Sequence, residues 1–161
     1  MFKRFDTKDC STSTQIKSSA QRAIKAKIIE TFPCLDEETL DVLLPKKPPL
    51  VQYKAPNLIV YCTGGGVNVP LFYQHRDWGD VTFPTLKFIH KYSGLSWTKV
   101  TVDKGAIPYI IGGANIMCPG LTNPGGEIST GLQKGQAVVI YAEGKEHALA
   151  IGRLTMSSDD M

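Results

Sequence analysis

Long apolar runs are missing from this 161-residue chain. None approaches the roughly 20 residues that a membrane-spanning helix needs, so no membrane partner is expected. The opening MFKRFDTKD is charged and lacks the apolar core of a secretory signal, which points to a cytoplasmic location. Cysteine is sparse and scattered. Cys10, Cys34, Cys62 and Cys118 form no CxxC pair, so neither a zinc site nor a redox dithiol is expected, and no cofactor is implied. Buried free thiols are the expectation. Catalytic signatures are missing too. There is no nucleophile elbow with a Ser/His/Asp ordering, no HExxH, no Walker loop and no dinucleotide fingerprint. Gly64-Gly65-Gly66 is followed by no Lys-Ser or Lys-Thr, and no helix opens after it, so it is expected to be a hairpin connection. The lone His90 is expected to be structural. The chain is expected not to be an enzyme.

What is present is an ordinary globular composition, 42% apolar and 20% charged, long enough for one domain or two small ones. The net charge of +3 is unevenly placed. Up to Thr98 there are 13 basic and 9 acidic side chains; from Lys99 onward there are 5 and 6. Any grip on a polyanion should therefore come mainly from the first half, or from a few well-placed cations.

The chain is organised around Val102 to Gly126, VDKGAIPYIIGGANIMCPGLTNPGG. Pro108 is tolerated in a first helical turn, and Ile107, Ile110 and Ile111 give that turn an apolar face. Gly112-Gly113 should end it, because glycine takes the left-handed closing conformation without steric cost. Asn115 to Cys118 reads as a short strand broken by Pro119-Gly120. A corner so poor in side chains should expose backbone N–H groups to a phosphate, sugar or base edge.

Before it, Phe2 to Asp6 reads as a strand and Ser11 to Thr14 as capping hydroxyls for a helix over Gln15 to Thr31. Ile16, Ala20, Ala23, Ile24 and Ile28 recur on one face of that helix, and Lys17, Arg22, Lys25 and Lys27 decorate the others. A second helix spans Asp36 to Leu44. Pro45 to Pro49 is then an extended, exposed turn carrying Lys46 and Lys47. Leu50–Tyr53, Asn57–Thr63 and Val69–Gln74 read as strands. His75 and Trp78 are expected to pack at a rim rather than stack on a base. Another helix begins near Pro84, with Thr82 as a possible cap. A break at Tyr92-Ser93-Gly94 suggests domains at 1–92 and 95–161. The second domain shows strands at Trp97–Val102, Gln136–Ala142 and His147–Met156, the pattern of a small barrel.

VDKGA followed by IIGGANIMCPGL closely resembles the core of the PUA domain, an RNA-binding pseudobarrel. MFKRFD, Thr31-Phe32-Pro33, FPTLKFIHKY and AEGKEHALAIG extend the likeness over essentially the whole chain, which resembles the malignant-T-cell-amplified-sequence family. The resemblance implies an α+β protein, with a mixed N-terminal domain followed by a PUA pseudobarrel. The resemblance also implies a last barrel strand beyond SSDDM, so the PUA domain of residues 95–161 is expected to be C-terminally incomplete. The resemblance further implies a translation factor that binds small-subunit ribosomal RNA and tRNA. Its partner would be a density-regulated-protein-like SUI-domain protein, and its work re-initiation and recycling. RNA contacts are expected from Lys104, Gly105, Ala106, Gly113, Ala114, Asn115, Met117, Pro119, Gly120, Leu121 and Lys145. Ribosomal RNA contacts are expected from Lys17, Lys25, Lys46 and Lys47. The competing expectation is a protein-interaction module whose PUA fold lacks appreciable RNA affinity.

Overall fold

A computed structural model describes residues 10–161; the strand expected at Phe2–Asp6 lies outside them. The chain divides into two compact units between Phe88 and Ile89.

The first unit is built on a five-stranded antiparallel sheet in sequence order. The strands are β1 (Thr12–Gln15), β2 (Val51–Lys54), β3 (Leu58–Cys62), β4 (Pro70–His75) and β5 (Thr82–Pro84), with helices α1 (Ser18–Thr31) and α2 (Glu37–Leu43) between β1 and β2. Phe72 and Phe83 are fully buried together with Ile28, Leu35, Leu40 and Leu44. The Phe83 ring meets Phe32 edge-on at 6.3 Å and stacks with Tyr73 at 5.7 Å. Burial pushes the Tyr73 hydroxyl up to about 12.

The start of this unit departs from expectation. Ser11–Thr14 does not cap a helix: Thr12–Gln15 is an exposed edge strand paired with β2, and α1 begins after Lys17 with no side-chain cap. The buried face of α1 is also rotated. Gln21, Lys25 and Ile28 point inward, whereas Ala20 and Ala23 are exposed. Polar side chains tolerate this because each has partners. The Gln21 amide donates to the Leu44 and Pro45 carbonyls, both at 3.2 Å, groups that the end of α2 leaves unpaired. Lys25 donates to Asp41 at 2.5 Å.

α2 follows its sequence signals closely. Asp36 caps it by accepting from the Thr39 N–H at 2.7 Å. Thr85, not Thr82, caps α3 (Leu86–Lys91), since its hydroxyl accepts from the Phe88 N–H. Thr82 is instead a buried residue of β5. His75 is buried and packs against Trp78 at 4.9 Å, while Trp78 packs edge-on against Phe83 at 5.4 Å. Of the four thiols only Cys62 is fully buried; burial raises it to about 11. The expectation of uniformly buried cysteines fails because Cys10, Cys34 and Cys118 lie outside regular strands and helices, partly open to solvent.

Three carboxyls in this unit are held below their ordinary range. Hydrogen bonds from Thr39 lower Asp36, the hydrogen bond from Lys25 lowers Asp41, and the hydrogen bond from Lys27 lowers Asp80. A carboxyl depressed in the folded state stabilises above its unfolded value, and that stabilisation is lost as pH falls. Urea midpoints of the protein should be level above about pH 5 and should drop as pH passes below about 4. Asp80→Asn should flatten the drop; an unchanged slope in that variant would remove Asp80 as its source.

The second unit carries a three-stranded sheet of β6 (Lys99–Val102), β7 (Ala137–Ala142) and β8 (Ala150–Arg153). β6 and β7 are parallel, β7 and β8 antiparallel. A parallel pair needs a crossover. Here it contains a 3-10 turn at Lys104–Ala106, α4 (Ile107–Ile111) and α5 (Pro119–Thr122). Val100, Val102, Leu121, Val138, Ile140, Ala142 and Leu154 form the core, with Ile107, Ile110 and Ile116 packed on it. An isolated bridge joins Thr101 to Glu127.

Candidate nucleic-acid interface

Asp103 sets the local geometry of the glycine-rich stretch. Its carboxylate accepts from the Ala106 N–H at 3.1 Å, capping the 3-10 turn. Its own N–H donates to the Gly120 carbonyl at 3.1 Å. The turn is thereby tied to the start of α5. A methyl group at Gly120 would sit 3.8 Å from Ala106, Asp103 and Ile116 alike, so all three converge there. Nothing in the sequence pattern singled out Asp103; its place two residues before a glycine, at the end of a strand, is the only cue.

α4 closes as expected on glycine. Gly113 has φ of 81°, its N–H donates to Ile110, and the Ala114 N–H reaches back to Tyr109, both at 2.9 Å. This is a Schellman closure. It corrects one expectation: the N–H groups of Gly112, Gly113 and Ala114 are bonded within the corner and are not open to a ligand. The second correction concerns Asn115–Cys118, which forms no strand. No neighbouring strand lies in register to take its ladder bonds, so local β propensity is not realised. Among the described residues, no acceptor meets the N–H groups of Asn115, Ile116, Met117 or Cys118. The open donors therefore lie one step further along the chain than the glycines.

The remaining candidate residues separate clearly. Gly105, Asn115, Met117 and Pro119 are exposed. Ala106 packs against the core and Leu121 is part of it, so Leu121 offers no surface to RNA; its side chain fills the space beneath β6. Pro119 does not merely break a strand but starts α5. Ile111, expected on the inward face of α4, is 72% exposed, as are Tyr109 and Met117 at 70% and 71%.

Lys104 reaches the turn that carries Lys145. The Lys104 side chain lies over Gly144, its Cε 3.7 Å from where a methyl group there would stand, and Lys145 is the next residue. Beside them a groove of about 270 Å³ is lined by Ile107, Ala142 and the Lys145–Leu149 segment. His147 in that segment meets the His90 ring at 5.4 Å. His90 Nε2 donates to the Ala148 carbonyl at 2.8 Å, a structural bond.

In the first unit, Lys25 is corrected. It is 7% exposed and its ammonium is engaged by Asp41, so it cannot reach a phosphate. Lys27 pairs with Asp80. Lys17, Lys46 and Lys47 are exposed, and no carboxylate pairs with them among the described residues.

No group of three metal-ligating side chains occurs among the described residues. Among the described residues no helix is long and apolar enough to cross a membrane.

Comparison with known proteins agrees with this architecture. A pre-PUA-like domain family matches residues 5–92, and the PUA domain family matches residues 98–161. The chain is 44% identical over its whole length to translation machinery-associated protein 20 of Eremothecium gossypii, covering 86% of that protein. It is 45% identical to the malignant T-cell-amplified sequence 1 homolog of Drosophila melanogaster, again over the whole chain and 86% of the relative. A hypothetical protein of Pyrococcus horikoshii has the same fold, with a TM-score of 0.69 at 23% identity over 92% of this chain and 85% of that one. With a pre-PUA-like domain leading into a PUA domain, and such identity along its full length, the chain belongs to the family of malignant-T-cell-amplified-sequence and translation machinery-associated proteins.

Proposed function

We propose that this protein is a non-enzymatic RNA-binding translation factor acting on the small ribosomal subunit in the cytoplasm. The observation that carries the reading is the pairing of open main-chain donors at Asn115–Cys118 with Lys104 and Lys145 in the same unit. Main-chain N–H groups and lysines together suit phosphate and ribose oxygens. The names of the relatives support an association with translation. In this reading the PUA domain holds the acceptor end of tRNA. The first unit meets ribosomal RNA through Lys17, Lys46 and Lys47. A density-regulated-protein-like SUI-domain partner completes a heterodimer that supports re-initiation and recycling.

The test is binding of labelled tRNA across a salt series. Each phosphate contact contributes nearly one unit to the slope of log affinity against log salt. Lys104→Gln with Lys145→Gln should lower that slope by about 2 and weaken binding. An unchanged slope would exclude both lysines. Capture from extract should bring down small subunits and an SUI-domain protein together. A second reading, a protein-interaction module without RNA affinity, is favoured by the exposure of Tyr109, Ile111 and Met117. Tight partner binding with little salt dependence, and no RNA affinity at low salt, would establish it instead.

A further inference from the structure

The Pro45–Pro49 loop and the β3–β4 connection interlock into one tip. A methyl group on Gly64 would overlap the Pro49 carbonyl oxygen, and one on Gly65 would stand 2.9 Å from Pro48. The two backbones touch where no side chain intervenes. The connection is braced from within. The Thr63 hydroxyl donates to the Val67 carbonyl and accepts from the Val69 N–H, both at 3.0 Å. The Asn68 amide donates to the Tyr53 hydroxyl at 2.6 Å. On this fixed frame Val67 is 84% exposed and Val69 42%, next to the loop that carries Lys46 and Lys47.

The chain that forms the tip carries charge of one sign. From Val42 through Arg76 the chain contains no aspartate or glutamate; Lys46 and Lys47 are the cations of the tip, while Lys54, opposite Ile59, and Arg76, bonded to Asn57, lie at the far end of the same strands. The nearest preceding acid, Asp41, is engaged by Lys25. Two valines make too small an apolar area for a protein interface core, whereas two exposed lysines, with Asp41 near Lys46 already bonded to Lys25, beside a narrow apolar tip suit a polyanion with a shallow surface. The minor groove of A-form RNA is wide and shallow and lined by riboses. We infer that this tip docks in the minor groove of double-helical RNA, with Val67 against riboses and Lys46 and Lys47 on the flanking phosphates. The inference rests on the RNA-binding reading above and names the RNA form that the first unit takes.

The experiment uses the full chain, a labelled hairpin RNA, a labelled single strand and purified small subunits. Val67→Ser should weaken hairpin binding severalfold at every salt concentration without changing the salt slope. Lys46→Gln with Lys47→Gln should weaken it and lower the slope by about 2. The wild type should favour the hairpin over the single strand, and melting temperatures should stay at the wild-type value. If the tip variants bind RNA like the wild type while the Lys104/Lys145 variant is impaired, the tip assignment falls and the broader function stands. If no variant alters RNA binding, both fall. If Val67→Ser weakens only binding to whole subunits, the tip docks on protein and the RNA assignment is overturned.

Discussion

Gly64→Ala should lower the melting temperature of the first unit and weaken RNA binding, although it removes no cation. The added methyl group meets a main-chain carbonyl oxygen rather than the end of a flexible side chain, so one of the two loops must move. Overpacking of this kind costs about 1–3 kcal/mol. For a domain of this size that corresponds to a fall of roughly 4–24 °C. The displaced loop carries Lys46 and Lys47 away from Val67, so affinity should fall with stability. Gly94→Ala, in the second unit, is the control for the glycine-to-alanine change itself, since a methyl group there meets nothing within 4 Å. An unshifted melting temperature for Gly64→Ala would show that the loops are not interlocked in solution.

Gly113→Val should act on the second unit through backbone conformation. At φ of 81° a β-branched side chain crowds the main chain, and left-handed geometry alone costs about 1–2 kcal/mol per residue. The closure that bonds Gly113 to Ile110 and Ala114 to Tyr109 would open, and the Asn115–Cys118 segment would lose its fixed departure from α4. A fall of several degrees in melting temperature is expected, with weaker tRNA binding. Gly113→Asn should lose less, because asparagine tolerates this region better than other non-glycine residues. Equal losses from both variants would mean that φ is not the determinant.

Much of the fold was legible because its signals are local. The Asp36 cap, the proline stop at Pro45, the strands of the hairpin with their β-branched and aromatic residues, and the glycine closure at Gly113 are each signalled by residues within or beside the element. The misread elements depend on distant partners. The inward face of α1 is chosen by Leu44, Pro45 and Asp41, 16 to 24 residues later, and no hydrophobic period announces a buried glutamine or lysine. Thr12–Gln15 is a strand because β2 pairs with it; four exposed polar residues carry no alternation to read. Asn115–Cys118 fails the other way, with strand-like residues and no partner strand. At the candidate site the glycines and the lysines were legible by type. That Leu121 faces the core, that Lys25 is neutralised, and that Lys104 reaches Gly144 are products of packing.

The Gln21 amide, anchored on the last carbonyls of α2, clamps the root of the lysine-bearing loop while the glycines hold its far side. A segment gripped at both ends has little freedom left to surrender when it meets a partner, so less of the contact free energy is consumed in ordering it. The strength of attachment at that loop is thus governed partly by a helix residue that never touches what is bound.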